Sequence, residues 1–149
     1  MFVELLPELN KIETCKRVKN FFKKDLERIT LLAGQRMIDL QSPNIDGQPK
    51  GISFSNSAES KIVDGLDAQL IVLSVNEAIH TGVDETSKKI LLGRFINHDR
   101  WVDVQNIIYK EHTTFAKLQN HALIVFAYSF EGKQIKNHCD KIIDLKVYY

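Results

Sequence analysis

Residues 101–126 read WVDVQNIIYKEHTTFAKLQNHALIVF, and this stretch decides the fold. Its apolar residues recur at steps of three and four, at Trp101, Val104 and Ile108 and then at Phe115, Leu118, Ala122 and Leu123. This spacing places each set on one side of a helix, and a short turn at residues 109–111 separates the two helices. Two short helices that are tightly joined and turn their apolar sides inward are typical of a helix-turn-helix unit. We expect this unit at about residues 100–124.

The second helix of this unit exposes side chains of types that suit a DNA groove. Asparagine pairs with adenine, threonine and alanine contact the methyl group of thymine, and lysine reaches guanine or a phosphate. Amides at a helix N-terminus add phosphate contacts. The predicted DNA-binding residues are His112, Thr113, Thr114, Ala116, Lys117 and Asn120, together with Lys110 and Arg100.

Two further helices are predicted before this unit. Residues 84–96 begin with Asp84 and Glu85, which suit a helix N-terminus, and end at the polar stretch 97–99. Their apolar residues are Ile90, Leu91, Leu92, Phe95 and Ile96. Residues 57–81 start after a predicted Asn56 cap. Their apolar stripe is Ile62, Leu66, Leu70 and Leu73, broadened by Ile71, Val72 and Val75.

Residues 10–36 form a basic amphipathic pattern that predicts one long helix with Asn10 or Thr14 at its start and Gly34 near its end. Its apolar residues are Ile12, Cys15, Val18, Phe22, Leu26, Ile29 and Leu32. Lysines and arginines fill much of the remaining surface. Three interpretations stay open: a core-facing helix with a solvated side, a dimerising coiled coil, and a helix that contacts phosphates.

The remaining segments complete an all-α organisation. Residues 41–57 are rich in Pro, Gly and Ser, which indicates a linker or an ordered loop. We therefore expect an N-terminal helical region at 1–40, this linker, a helical DNA-binding domain at 58–130 and a C-terminal tail at 131–149. The apolar residues of the tail fit either a strand or a continued helix.

Composition narrows the class of protein. No run approaches the length of a membrane span, and the N-terminus lacks the basic flank of a secretory signal. The two cysteines, Cys15 and Cys139, lie far apart, which favours a reducing cytoplasm over a disulfide framework. The net charge is +1, but residues 51–85 hold one Lys or Arg against six Asp or Glu, so an acidic block separates two mildly basic ends. This distribution favours DNA binding only weakly.

The sequence does not indicate catalysis, a cofactor or a metal site. None of the five histidines stands at HxxH or HExxH spacing. His98-Asp99 alone does not define an HD-type hydrolase, because such a site needs further ligands. No phosphate-binding glycine motif or nucleophile elbow is present. We therefore expect that the protein is not an enzyme. The hypothesis of a small hydrolase depends only on scattered His and Asp residues.

Three stretches of the chain resemble the ArpU-type phage late-gene transcriptional regulators. They are residues 4–9, ELLPEL, before a lysine-rich helix, the loop 42–51, SPNIDGQPKG, followed by NSAE at 56–59, and residues 84–96 through 115–123. The C-terminal part of this family is similar to region 4 of bacterial sigma factors. The resemblance implies a promoter-binding activator of packaging and lysis genes that contacts RNA polymerase. By position it assigns DNA reading to the residues given above for the second helix.

The leading hypothesis is therefore a DNA-binding regulator whose partners are double-stranded promoter DNA and RNA polymerase, and which forms a homodimer through the apolar face of residues 12–32. The alternative is a protein-interaction module with a helix-turn-helix fold and weak DNA affinity. The low basicity of the second helix and the acidic Glu111 in the turn favour this alternative.

Overall fold

The computed structural model describes residues 5–43, 64–108 and 112–149, with only the backbone described for 112 and 113. The predicted all-α class is confirmed. The helices are α1 (Lys11–Asn20), α2 (Leu26–Leu32), α3 (Gly65–Thr81), α4 (Glu85–Ile90), α5 (Trp101–Ile108) and α6 (His112–Lys136). A first π turn (Phe21–Asp25) joins α1 to α2, a second π turn (Leu91–Ile96) extends α4, and a 3-10 turn spans Met37–Gln41. Within the described ranges no helix is long and apolar enough to cross a membrane.

The predicted helix at 10–36 is observed as a continuous segment from α1 through α2. Asn10 caps its start, because its Oδ1 accepts a hydrogen bond from the Glu13 amide at 3.1 Å. Gly34 follows its end in the left-handed conformation, with φ at 79°. The Gly34 amide donates to the Leu31 carbonyl at 3.0 Å, as in a Schellman motif. Both ends of this segment therefore follow from local sequence.

The first π turn changes which residues of α2 face the core. A π turn holds about one residue more than an α-helical turn, so later residues are displaced from a regular helical pattern. Even spacing predicts Ile29 and Leu32 in the core, but the buried residues are Thr30 and Ala33, each one position later. The prediction for Leu32 was wrong, since this side chain is 46% exposed. Ile29 is only partly buried.

α3 packs against α6 and α2, so its buried side is wide. Asp64 caps the helix by accepting a hydrogen bond from the Asp67 amide at 2.8 Å. The predicted stripe was partly wrong, because Leu66 is 51% exposed and Leu70 only partly buried. Ile71, Val72 and Val75 are buried as predicted, and the core also includes Ala68, Ala78 and Ile79. The predicted Asn56 cap and Ile62 lie outside the described residues.

α4 and α5 lie where the sequence places helices. Asp84, one of the acidic residues predicted at the start of this helix, caps α4 and accepts a hydrogen bond from the Ser87 amide at 3.1 Å. A Cβ atom at Gly93 would lie 2.8 Å from a methyl carbon of Val104, so this glycine allows α5 to approach closely. Trp101 was wrongly placed in the core and is 44% exposed. The reason is that α5 turns only Val104 fully inward, toward α4 and the second π turn.

α6 is the organising helix of the core, and it continues six residues beyond the predicted end at 130. It packs against α1, α3 and α4. Phe126 lies 4.8 Å from Phe22 and 5.3 Å from Phe130 between ring centroids, and Phe130 lies 5.2 Å from Phe21. Cys15 and Val18 of α1, together with Phe21 and Phe22 of the first π turn, therefore pack within the same chain. The homodimer expected through the apolar face of residues 12–32 stays a prediction.

Residues 131–136 of the predicted tail continue α6, whereas residues 137–149 form neither a helix nor a regular strand. The chain leaves α6 through His138, with φ at 59°, and runs back along α1 as an extended segment. The side chain of Gln134 holds Ile143 by accepting from its amide at 2.8 Å and donating to its carbonyl at 2.9 Å. Further on, the Val147 amide donates to Thr14 Oγ1 at 2.9 Å. Ile12, on the opposite side of that turn from Thr14, is exposed although it belongs to the predicted apolar face.

Lys146 fixes the tail to α6. Its side chain is only 5% exposed, and its amine forms ion pairs with Glu131 and, at 2.9 Å, with Asp144. The same amine lies 5.6 Å from the ring centroid of Tyr128 and 6.0 Å from that of Tyr148. A buried charge with these partners is compensated, which explains how a lysine is tolerated in this position.

Candidate nucleic-acid interface

The first turns of α6 expose most of the residues predicted to read DNA. Thr114, Ala116, Lys117 and Asn120 are all exposed, while Phe115 is buried against the core. Lys117 lies near the middle of this exposed face. Lys110 lies outside the described residues, and so do the side chains of His112 and Thr113.

Two neighbouring helices border this face. On one flank the Cys15 thiol of α1 lies 3.6 Å from the Asn120 carbonyl oxygen. On the other flank His121 Nε2 lies 3.7 Å from Asp84 Oδ1 at the start of α4. Burial raises the pKa of the Cys15 thiol, and nearby Lys19 acts weakly in the opposite direction. The face is thus held between α1 and α4, with a basic helix on the Asn120 side.

Arg100 lies directly before α5 and not on α6. It is exposed, and its Nε and Nη2 donate to the two carboxylate oxygens of Asp103 at 3.1 and 3.2 Å. Such an exposed ion pair contributes little to holding the guanidinium. The DNA contact predicted for Arg100 stays a prediction.

A basic groove lies near Asn120. One wall is formed by α1 and the first π turn, and the other wall by the second π turn. Its volume is about 550 Å³. The residues that line it are Lys16, Lys19, Asn20, Phe22, Lys23, Arg94, Phe95, His98 and Gln119. Gln119 belongs to α6 and precedes Asn120, so the basic groove extends to the helix that carries the exposed face.

One wall of the basic groove carries three lysines, which we call the lysine wall, and their alignment follows from their spacing along α1 and the first π turn. Lys16, Lys19 and Lys23 stand three and four residues apart, which aligns them along one side of the helix. All three are exposed, whereas Val18 and Phe22 between them are buried. Burial of the apolar side therefore orients the lysines toward the groove.

Arg94 forms the opposite wall in a fixed orientation. Its Nε donates to Gln119 Oε1 at 3.1 Å, and its Nη1 donates to the Asp99 carbonyl at 2.8 Å. The guanidinium lies 6.0 Å from the ring centroid of Phe95. Phe95 in turn stacks on Phe22 at 5.5 Å, and this aromatic pair forms the floor of the groove. The bound nitrogens hold Arg94 in place, and Nη2 forms no hydrogen bond within the described part of the chain.

The groove carries an excess of positive charge. Within the described residues its lining contains no aspartate or glutamate. Lys16 pairs with Glu13 at 3.4 Å, but this pair is exposed and contributes little to holding the amine. In the same part of the chain Lys19 and Lys23 form no ion pair. These charges suit an anionic ligand.

The sequence indicated the basic side of residues 10–36 but not the groove. The lysines of residues 10–36 are compatible with phosphate contact, and Arg94 is one of several basic residues near the predicted unit. The lysines and Arg94 come together only through a tertiary contact between segments about seventy residues apart, and no local sequence pattern encodes such a contact. The recurrence of lysines at positions 16, 19 and 23 on one side of a helix is the signal that was present.

The described residues do not assemble a metal or nucleophile site. Among them, no group of three or more His, Cys, Asp or Glu side chains is placed to hold a metal ion. Burial raises the pKa of the Cys139 thiol, which lowers the fraction of reactive thiolate.

Comparison of the chain with protein-family models, with curated proteins and with solved structures found no match.

Proposed function

We propose that the protein is a DNA-binding transcriptional regulator of the phage late-gene type, which binds double-stranded promoter DNA through the first turns of α6. The observation that carries this proposal is the proximity of two surfaces on α6. An exposed helix face with Lys117 near its middle and Asn120 at one flank adjoins Gln119, which lines the basic groove. Base-reading side chains next to a phosphate-binding surface are the arrangement that DNA recognition requires.

Within this surface, the chemistry of the side chains assigns base contacts to α6 and phosphate contacts to the basic groove. Asn120 offers an amide that can donate to and accept from adenine, and Lys117 can donate to guanine. The basic groove supplies charge that is independent of sequence. Activation of packaging and lysis genes through contact with RNA polymerase is part of the proposal and rests on the family resemblance.

Selection of bound duplexes from a random-sequence library, followed by fluorescence anisotropy on the enriched site, tests the proposal. We expect an enriched motif, and we expect Lys117→Ala and Asn120→Ala each to weaken binding to it by about 1–3 kcal/mol, or roughly 5- to 150-fold. Lys133→Ala is the matched control, because it removes the same charge from the far end of α6. Absence of an enriched motif, or unchanged sequence preference in both variants, would contradict the proposal.

A second candidate, a protein-interaction module, is favoured by α5. This short helix exposes Trp101, Val102 and Ile107, the last at 57%. Large contiguous apolar patches mark contact surfaces, and these three side chains are the exposed apolar residues of α5. The double change Trp101→Ala with Ile107→Ala distinguishes the two functions: loss of retention on immobilised bacterial RNA polymerase with unchanged DNA affinity supports a protein-binding role for α5, whereas unchanged retention rejects it.

A further inference from the structure

We propose that the basic groove binds one DNA strand, with consecutive backbone phosphates held between Lys19 on α1 and Lys23 on the first π turn on one side and Arg94 on the second π turn on the other. This inference deepens the proposed function and rests on it. It assigns the N-terminal helical segment, which the family resemblance did not place in the DNA-reading set, to DNA binding.

The dimensions of the lysine wall fit a strand. Lys16 and Lys23 are seven residues apart, which corresponds to about 10 Å along the helix axis. A DNA strand advances about 3.4 Å per phosphate along the duplex axis, so the wall spans about three phosphates. Amines on flexible stems follow such a strand without defining its sequence.

Arg94 supplies the directional contact. Gln119 and the Asp99 carbonyl hold its Nε and Nη1, so the guanidinium is oriented before any ligand binds. A guanidinium oriented in this way presents its remaining N–H donors to phosphate oxygens without a further loss of side-chain freedom. Because Gln119 precedes Asn120, the residue that orients Arg94 lies on the helix that would read bases. The groove therefore fixes where a strand lies relative to the exposed face of α6.

The location of the groove favours a strand over a free phosphorylated molecule. The groove opens beside the exposed α6 face and has exposed lysines along its rim, so a long polyanion can continue from one surface to the other. A small anion would use the same donors, and the experiment separates these two sources of phosphate.

The experiment measures the affinity of the full chain for a random-sequence 30-base-pair duplex between 50 and 200 mM salt. Each lysine that neutralises a phosphate contributes about 0.9 to the slope of log affinity against log salt concentration. For the double change Lys19→Ala with Lys23→Ala we expect the slope to become shallower by about 1.8. The matched control is Lys11→Ala with Lys24→Ala, which removes equal charge from the same helical segment at positions outside the groove lining. We expect its slope to stay within about 0.5 of wild type, because these lysines contact no phosphate in the proposed arrangement.

Arg94→Lys is the second variant, since it keeps the charge and loses the hydrogen bond to Gln119. We expect it to weaken duplex binding about tenfold or less while leaving the slope close to that of wild type. Thermal unfolding followed by circular dichroism checks that the variants fold. Inorganic pyrophosphate is the small-anion probe, and we expect it to compete only weakly.

The possible results are distinguishable. If wild type binds the duplex with a salt-dependent slope but the Lys19–Lys23 variant keeps that slope, the groove inference is wrong and the proposed function stands. If the control variant loses as much slope as the groove variant, only general charge acts and the groove inference is again wrong. Tight pyrophosphate binding without displacement of DNA would assign the groove to a free phosphate. If wild type binds no duplex, both proposals fail.

Discussion

Replacement of Lys146 by methionine tests whether the tail is an integral part of the fold. The substitution keeps an unbranched stem and removes the amine that pairs with Glu131 and Asp144. Burial alone lowers the pKa of Lys146, but its hydrogen bonds to these two carboxylates outweigh that effect and raise it. A lysine with a raised pKa contributes its full stability below the unfolded pKa of about 10.4, so at pH 7 the contribution is present in full.

The expected loss is about 2 kcal/mol. The two hydrogen bonds contribute about 1.5–3 kcal/mol each and the aromatic contacts at Tyr128 and Tyr148 roughly 0.5–1 kcal/mol each, which gives about 4–8 kcal/mol. Burial of the amine costs several kcal/mol, and removal of this cost offsets most of that sum. Glu131 and Asp144 keep 33% and 44% of their side-chain surface exposed, so water solvates them again once the amine is gone. That recovery keeps the loss below the roughly 3–5 kcal/mol expected for a wholly buried pair.

Urea unfolding at pH 7, followed by far-ultraviolet circular dichroism, measures this loss. We expect Lys146→Met to lower the free energy of unfolding by about 2 kcal/mol at an unchanged m value, and to lower Tm by about 4–8 °C. Lys141→Met, an exposed lysine of the same tail, should change stability by less than about 0.5 kcal/mol. If Lys146→Met also stayed within about 0.5 kcal/mol of wild type, the proposed anchoring of the tail would be wrong.

Two other predictions concern backbone conformation and burial. His138→Gly should stabilise the fold by about 0.5–1 kcal/mol and Gly34→Ala should destabilise it by a similar amount, because both positions have positive φ and suit glycine; urea titrations that give the opposite signs would contradict this. Burial raises the pKa of the Asp67 carboxyl, although the Asp140 amide partly opposes this, so the native state takes up this proton before the unfolded state does. The stability of wild type relative to Asp67→Asn should therefore rise as pH falls from 7 to 4, and a difference that is constant with pH would refute the assignment.

Helix positions were largely readable from the sequence because their determinants are local. Asn10, Asp84 and Gly34 lie at helix ends that they stabilise by their own hydrogen bonds or backbone conformation. The tail was not readable, since its extended course depends on side chains such as Gln134 and Thr14 that belong to other elements. Local periodicity carries no information about such contacts.

The exposed face of α6 could be predicted from the sequence, whereas the basic groove could not. Lys117 and Asn120 were predicted to be exposed from helical spacing alone, and the structure places them so. The prediction that Trp101 lies in the core was wrong, because spacing identifies one side of a helix without showing how much of that side neighbouring elements cover. The meeting of Lys19 with Arg94 required the packing of α1 on α6, which the sequence left open between a core contact and a dimer.

The number of residues in the π turns determines the geometry of the groove, independently of which side chains are present. In an α-helix each residue advances the backbone by about 100°, so one residue added or removed reorients everything on one side of the change. Deleting a single residue from Phe21–Asp25 would restore regular α-helical hydrogen bonding, yet it would rotate Lys16 and Lys19 by more than a quarter of a turn relative to α2. Every side chain that lines the groove outside the deletion would still be present, and the lysines would no longer oppose Arg94. Single-residue deletions here should therefore be as damaging as the loss of a charge.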